Sequence, residues 1–214
     1  MSGIFDLFKK IEAEREEKAR RPISYLVAGL GNPGEKYELT RHNAGFLCAD
    51  YLFARFGGER WKLRFKALCS ECETGEGRIL LLKPQTFMNA SGEAIAEAMR
   101  FYKLPPEKLI VICDDVNFPC GAMRIRPNGS DAGQRGVRST ILALGSDAFP
   151  RIRLGVGEKP DPAYDLADWV LSRFGEEEKK AIYSCFEDSA EAIRLIQKGE
   201  IETAMSRCNR KGPR

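Results

Sequence analysis

Short apolar runs alternate with longer amphipathic segments along most of this chain. The apolar runs are typical of strands and cover residues 24–30, 61–72, 78–83, 109–112, 122–126 and 152–156. Helical spacing bounded by turn residues predicts helices over 43–57, 91–102 and 137–144, followed by a largely helical final third. Strands that alternate with helices predict an α/β fold, here a single-domain sandwich in which helices flank a mixed central β-sheet.

The first 22 residues depart from this alternation. Apolar side chains from Ile4 to Ile11 are spaced as one short helical face, and a run of mixed charge follows. This predicts an amphipathic helix that docks on the domain or on a partner, with weaker support for a membrane surface. We therefore expect an N-terminal amphipathic and charged extension (1–22), one domain (23–209) and a basic tail (210–214).

The composition indicates a soluble protein with reduced thiols. The chain has 214 residues, of which 43% are hydrophobic and 30% charged, and it contains neither a membrane-length apolar run nor the apolar segment of a secretory signal. Seven cysteines without framework spacing predict a cytoplasmic protein without disulfides. Cys69 and Cys72 form a lone Cys-x-x-Cys without further ligands at matching spacing, so we expect strand residues and no metal site.

Positive charge is concentrated in one segment. Residues 119–155 contain six arginines and only two acidic residues, although the net charge of the whole chain is +3. The planar guanidinium binds two phosphate oxygens at once, so an all-arginine cluster favours a phosphate-binding surface. Ordinary solvated surface charge is the alternative.

His42 is the only histidine of the chain. Imidazole is the side chain whose unperturbed pKa, about 6.5, suits it to exchange protons near neutral pH. A Gly-rich turn, an asparagine and an arginine lie within a dozen residues of it. His42 is therefore a candidate general base, and the alternative is a residue that merely caps the helix beginning near Asn43.

The same region contains Gly29-x-Gly31-x-x-Gly34 after a strand, which matches the dinucleotide-binding fingerprint. In that fold the glycines open the helix directly, whereas here Pro33 and a polar stretch delay the helix to about residue 43. The acidic residue expected about 20 positions later would fall inside that helix. We therefore do not expect a nicotinamide cofactor.

Two further polar clusters follow strands. Asn89 lies between a strand and a helix and offers both a donor and an acceptor, although Asn89 or Ser91 would also serve as a helix cap. Asp114 and Asp115 end the apolar run 109–112, at the sheet edge where open α/β sheets bind ligands. A carboxylate there can hold one imidazole nitrogen and leave the other to take a proton from water.

Four segments together resemble the bacterial-type peptidyl-tRNA hydrolase family. They read GLGNPGEKYELTRHNAG, KPQTFMNASG, DDVNFPCG and RIRLGVG, in the family's order, and the resemblance extends from about residue 24 to 209. It implies a monomeric α/β enzyme that hydrolyses the ester between a peptide and the 3′ ribose of tRNA, with peptidyl-tRNA as its partner and without a metal or an organic cofactor.

The resemblance also implies roles for individual residues. His42 is the catalytic base and Asp114 its partner, while Asn32 and Asn89 hold the substrate and the attacking water. Substrate contacts are implied for a second set: Met88 in the peptide channel, Tyr37 on the tRNA, and Arg126 and Arg153 as the pair that clamps the tRNA 5′ phosphate.

One loop departs from the family pattern. The family usually has Gly-Gly-His-Asn-Gly before a lid helix, and this chain has Ala132-Gly133-Gln134-Arg135-Gly136. We place Gln134 and Arg135 among the substrate-binding residues, but Arg135 has only donors and cannot replace the acceptor of an asparagine. The leading hypothesis is still an active hydrolase. The alternative is a catalytically weakened paralog that acts as a tRNA- or RNA-binding module in translation.

Overall fold

The computed structural model describes residues 3–4, 6–11 and 21–212. Of the amphipathic helix predicted over 1–22, residues 6–11 are helical, with exposed Leu7 and Phe8 side chains, whereas residues 12–20 lie outside the described part. In the described residues no helix is both long and apolar enough to cross a membrane.

Seven strands form one sheet in the order β2-β3-β4-β1-β5-β7-β6. Their bounds are β1 Ile23–Gly29, β2 Lys62–Arg64, β3 Ala67–Glu73, β4 Arg78–Pro84, β5 Leu109–Asp115, β6 Met123–Arg126 and β7 Arg151–Gly155. The four central strands are parallel, and β2, β3 and β6 run antiparallel to their neighbours. The carboxyl ends of β1, β4 and β5 therefore meet at one edge of the sheet, where the predicted polar residues follow them.

Six helices are used below: α1 Ala44–Arg55, α2 Ser91–Tyr102, α3 Arg135–Leu144, α4 Leu166–Leu171, α5 Glu176–Gln197 and α6 Ile201–Cys208. Short 3-10 turns precede several elements, at Glu35–Tyr37, Arg41–Asn43, Met88–Ala90 and Pro106–Lys108. One hydrophobic cluster joins the sheet to α1, α5 and α6, and a second joins its other face to α2 and α3. The predicted single-domain sandwich with a mixed sheet is confirmed.

The apolar run predicted as one strand over 61–72 is two strands. Phe65 and Lys66 form a tight turn between β2 and β3, with φ of 55° and 53°. Such left-handed pairs are dominated by Asn-Gly and Asp-Gly, so these two side chains give no turn signal in the sequence. Within β3, Cys69 and Cys72 pack into opposite hydrophobic clusters, and two side chains on opposite faces of a sheet do not ligate one ion.

The chain after α6 pairs with β6 at Arg210. Met123 and Arg210 exchange two backbone hydrogen bonds, and the Arg210 guanidinium pairs with Asp188 at 2.8 Å. Arg210 was expected to begin a basic tail at the boundary after residue 209. In the structure this residue packs as part of the domain.

Candidate active site

A cavity of about 620 Å³ opens at the carboxyl edge of the sheet. Eight of the residues predicted for the site line it: Asn32, His42, Met88, Asn89, Asp114, Gln134, Arg135 and Arg153. Apolar side chains of α4, including Leu166 and Leu171, form an apolar wall of the cavity. The cavity thus has a polar wall built on strand ends and an apolar wall built on one short helix.

His42 and Asp114 are in direct contact. His42 Nδ1 lies 2.8 Å from Asp114 Oδ2, and the two side chains are 16% and 4% exposed. A carboxylate at Nδ1 holds the proton of the neutral ring on that nitrogen and leaves the lone pair on Nε2. His42 comes from the 3-10 turn before α1, and Asp114 is the penultimate residue of β5.

Opposing effects set the pKa of His42. Burial of the ring lowers it, but the charge and hydrogen bond of Asp114 raise it by more, and the charge of Arg135 lowers it. The balance places the pKa of His42 above its ordinary value of 6.5. The raised pKa makes His42 a stronger proton acceptor. The ring is mostly deprotonated only at a pH above this raised pKa.

Asn32 is held from three sides. Its backbone N–H donates to Asn43 Oδ1 at 2.8 Å, and Asn43 Nδ2 donates back to the carbonyl of Asn32 at 3.0 Å. Its side-chain oxygen accepts from the backbone N–H of Met88 at 2.8 Å. This leaves the amide nitrogen of Asn32 as the donor that it offers to the cavity. Asn43, which the sequence suggested only as the start of a helix, therefore fixes Asn32.

The glycines of the dinucleotide-like motif allow α1 to approach the sheet closely. A Cβ at Gly29 would collide with the backbone of Gly45, and a Cβ at Gly45 would collide with the backbone of Leu30. This contact brings the 3-10 turn that carries His42 against the end of β1. The glycine spacing thus serves helix packing at this site.

Arg41 is a buried cation that the sequence analysis did not single out. It is 4% exposed, and its guanidinium pairs with both carboxylate oxygens of Glu178 at 2.8 and 2.7 Å. It donates to the carbonyl of Val156 at 2.6 Å and stacks over the Trp169 ring at 3.9 Å. The hydrogen bond from Arg41 also holds the pKa of Glu178 below its usual range. Arg41 therefore ties the histidine-bearing turn to α4 and α5, and its only signal in the sequence was a charge beside His42 within the motif.

Four arginines project from one face of the edge strand β6 and its neighbour β7. Arg124 lies opposite Arg153, and Arg126 lies opposite Arg151. Arg151 is buried and donates to the carbonyls of Gly129 and Ser130, so its hydrogen bonds hold the loop before α3 in place.

The two arginines predicted to bind phosphate differ in their surroundings. Arg153 pairs with Asp115 at 2.7 Å and borders the cavity. Arg126 is exposed on the edge strand and lies outside the cavity lining. Tyr37 also lies outside the lining, where its ring meets Phe87 edge-on at 6.5 Å. Phe87 itself lines the cavity, so an aromatic pair that the sequence analysis did not identify borders the site.

The divergent loop contributes two different side chains. Gln134 is 9% exposed, and both polar atoms of its amide are bonded within the protein. Arg135, the first residue of α3, is exposed and lines the cavity, where it is the positive charge that acts on His42. The helix predicted to begin at residue 137 begins at 135, because the Gln134 side chain caps it.

Cys113 lies next to Asp114 but is fully buried. Burial raises the pKa of its thiol far above the ordinary range. A thiol without a thiolate form is a poor nucleophile. The polar wall therefore offers a base, its carboxylate partner and amide donors, which is an arrangement suited to activating water at an acyl carbon.

Comparison with known proteins agrees with this chemistry. The family model for peptidyl-tRNA hydrolase matches residues 26–214. The chain is 47% identical over 187 residues to a peptidyl-tRNA hydrolase of Caldicellulosiruptor bescii, covering 87% of this chain and 97% of that protein. It is 49% identical over 185 residues to one of Caldanaerobacter subterraneus subsp. tengcongensis, covering 86% and 99%. The crystal structure of peptidyl-tRNA hydrolase from Acinetobacter baumannii superposes with a TM-score of 0.81 at 28% identity, covering 90% of this chain and 98% of that one.

Proposed function

The chain belongs to the peptidyl-tRNA hydrolase family and hydrolyses the ester bond between peptide and tRNA, and we propose that His42 and Asp114 carry out the proton transfers of this reaction. The observation that supports the proposal is the 2.8 Å contact between His42 Nδ1 and Asp114 Oδ2 in a cavity lined by amide side chains. Nε2 is then the free basic nitrogen of the neutral ring.

In the proposed reaction, Nε2 of His42 takes a proton from a water molecule as its oxygen attacks the ester carbonyl carbon. The carbonyl oxygen becomes an oxyanion, and the amide groups of Asn32 and Asn89 donate to it or to the water. One such donor is typically worth about 3–4 kcal/mol of barrier. When the tetrahedral intermediate collapses, the imidazolium returns the proton to the 3′ ribose oxygen, which releases the peptide acid and free tRNA.

We assign five of the six remaining predicted residues to substrate binding. Met88 is buried beside the cavity and forms part of the peptide channel. Tyr37 contacts the tRNA, and Arg126 and Arg153 bind its 5′ phosphate. Arg135 faces the reacting end of the substrate from α3. We also propose that the enzyme acts as a monomer and in the cytoplasm, where its tRNA substrate is used.

The test is cleavage of an N-blocked, labelled aminoacyl-tRNA by the purified protein and by His42→Ala. We expect the parent to release the labelled acid and the variant to lose this activity. The free energy of unfolding should change by no more than about 1–2 kcal/mol, because His42 is a partly exposed residue. Cleavage by the variant at the parental rate would remove His42 from the mechanism. A parent that binds tRNA but does not cleave the ester would favour the non-catalytic alternative, which the family relationship does not favour.

A further inference from the structure

The side-chain amide of Gln134 joins the start of α3 to the catalytic carboxylate. Its oxygen accepts from the backbone N–H groups of Gly136 at 2.6 Å and Val137 at 3.0 Å. Its nitrogen donates to Asp114 Oδ1 at 2.8 Å. The opposite orientation of the amide would place its NH₂ group against two N–H donors and its oxygen against a carboxylate. The hydrogen-bond network therefore fixes which end faces Asp114.

Asp114 is consequently bonded on both sides. Its Oδ2 contacts His42 Nδ1 at 2.8 Å, and its Oδ1 accepts from Gln134, also at 2.8 Å. A carboxylate bonded through one oxygen can rotate about its terminal torsion, whereas two bonds on opposite oxygens fix the plane of the group. Because Gln134 is itself held by the first turn of a helix, the restraint comes from a rigid element.

We propose that Gln134 is a positioning residue for ester hydrolysis: it fixes Asp114, through which it acts on His42, and it does not contact the substrate. The inference rests on the proposed roles of His42 and Asp114. It changes the role that the sequence suggested for Gln134, because the two polar atoms that would bind a substrate are engaged by Asp114 and by α3.

The same hydrogen bond affects the charge balance at the imidazole. The charged groups that act on His42 are Asp114 from β5 and Arg135 from α3. Asp115, Arg153 and Asp165 line the same cavity. A donor to Asp114 Oδ1 stabilises the carboxylate and draws its charge away from the ring. Loss of that donor should therefore raise the pKa of His42.

Two variants separate helix capping from carboxylate positioning. Gln134→Ser retains a preferred N-cap residue but is too short to reach Asp114. Gln134→Met keeps a similar length but removes both the capping oxygen and the donor to Asp114. Since His42 is the only histidine, its NMR titration gives one unambiguous pKa in each protein without requiring activity.

For both variants we expect kcat on peptidyl-tRNA to fall about 10- to 100-fold, as geometry at the base is lost, with KM changed less than about twofold. The pKa of His42 should rise, and the acid limb of kcat should move with it, while Gln134→Ser unfolds near the parental temperature. An unchanged pKa together with an unchanged kcat in either folded variant would overturn the proposal, and so would a higher KM at parental kcat. If the parent fails to cleave peptidyl-tRNA, the proposed function fails, but the titration still tests the link from Gln134 to His42.

Discussion

Replacing Asp114 with asparagine changes the hydrogen bond that orients His42 but keeps the shape of the neighbouring side chain. The new side chain has the same size but one oxygen and one NH₂ group. Gln134 already donates to Oδ1 of Asp114 at 2.8 Å. The amide oxygen must therefore face Gln134, and the NH₂ group is left facing Nδ1 of His42.

An NH₂ group at Nδ1 stabilises the wrong tautomer of His42. The proton then resides on Nε2, the nitrogen that should accept a proton from water. In a Ser-His-Asp triad the same replacement lowers kcat about 10⁴-fold for this reason. That factor corresponds to about 5.5 kcal/mol of activation free energy. We expect Asp114→Asn to lose kcat on this scale, with a much smaller change in KM.

The pKa of His42 should move in a known direction. Burial and Arg135 lower it, and Asp114 is the group that raises it above 6.5. Removal of that charge leaves only the lowering effects, so the pKa in Asp114→Asn should lie below 6.5. Single-turnover cleavage gives the rate, and NMR of the single histidine gives the pKa. Asp115→Asn is the matched control. The charges that act on His42 are those of Asp114 and Arg135, so its pKa should stay close to the parental value in this variant.

A rate for Asp114→Asn within about tenfold of the parent would refute this reasoning, since a wrong tautomer is expected to cost far more. The double variant with Gln134→Ser gives a second, independent check. Without the donor of Gln134 the new amide can turn its oxygen toward Nδ1 of His42 and restore the useful tautomer. The double variant should therefore cleave faster than Asp114→Asn alone, and a slower one would show that Gln134 does not set the orientation.

Two further predictions concern the arginines. Plotting the logarithm of the tRNA-binding constant against the logarithm of the salt concentration gives a slope. Arg126→Ala should reduce the magnitude of that slope by about 0.7–0.9. Arg153→Ala should reduce it by less, because Asp115 already neutralises that charge; equal slopes in a filter-binding titration would contradict this difference. Arg135→Asn should raise the pKa of His42, move the acid limb of the rate to higher pH and increase turnover by supplying an acceptor. A slower variant would make Arg135 a working part of this active site.

The alternation of apolar runs was sufficient to predict the sandwich, because burial of both sheet faces requires that pattern. It was insufficient for the β2–β3 hairpin. Phe65 and Lys66 adopt left-handed backbone conformations without the residues that normally favour them. Pairing between β2 and β3 and a tilted ring contact between Phe65 and Phe101 offset the cost of that turn, and the contact with Phe101 is distant in the sequence.

At the site, motif and spacing identified the residues that face the cavity better than those that hold them. His42 and Asp114 are separated by 72 positions. The rule that ligands bind at the carboxyl ends of strands predicted Asp114 at that edge, and the family resemblance implied its pairing with His42. The sequence did not show that Asn43 fixes Asn32, or that the amide of Gln134 is turned inward. Both facts depend on which hydrogen-bond partner lies within reach, and that is decided by tertiary packing.

Arg41 shows why the C-terminal third belongs to the site although no catalytic residue was predicted there. A cation only 4% exposed must be neutralised, and Glu178 at the start of α5 does so with two hydrogen bonds. The backbone N–H of Arg41 also bonds the carbonyl of Ser172, just after α4. Because His42 is the next residue, the positions of α4 and α5 are transmitted to the imidazole through a single peptide unit. The apolar wall and the proposed base are thus linked by the contacts of Arg41 and its backbone.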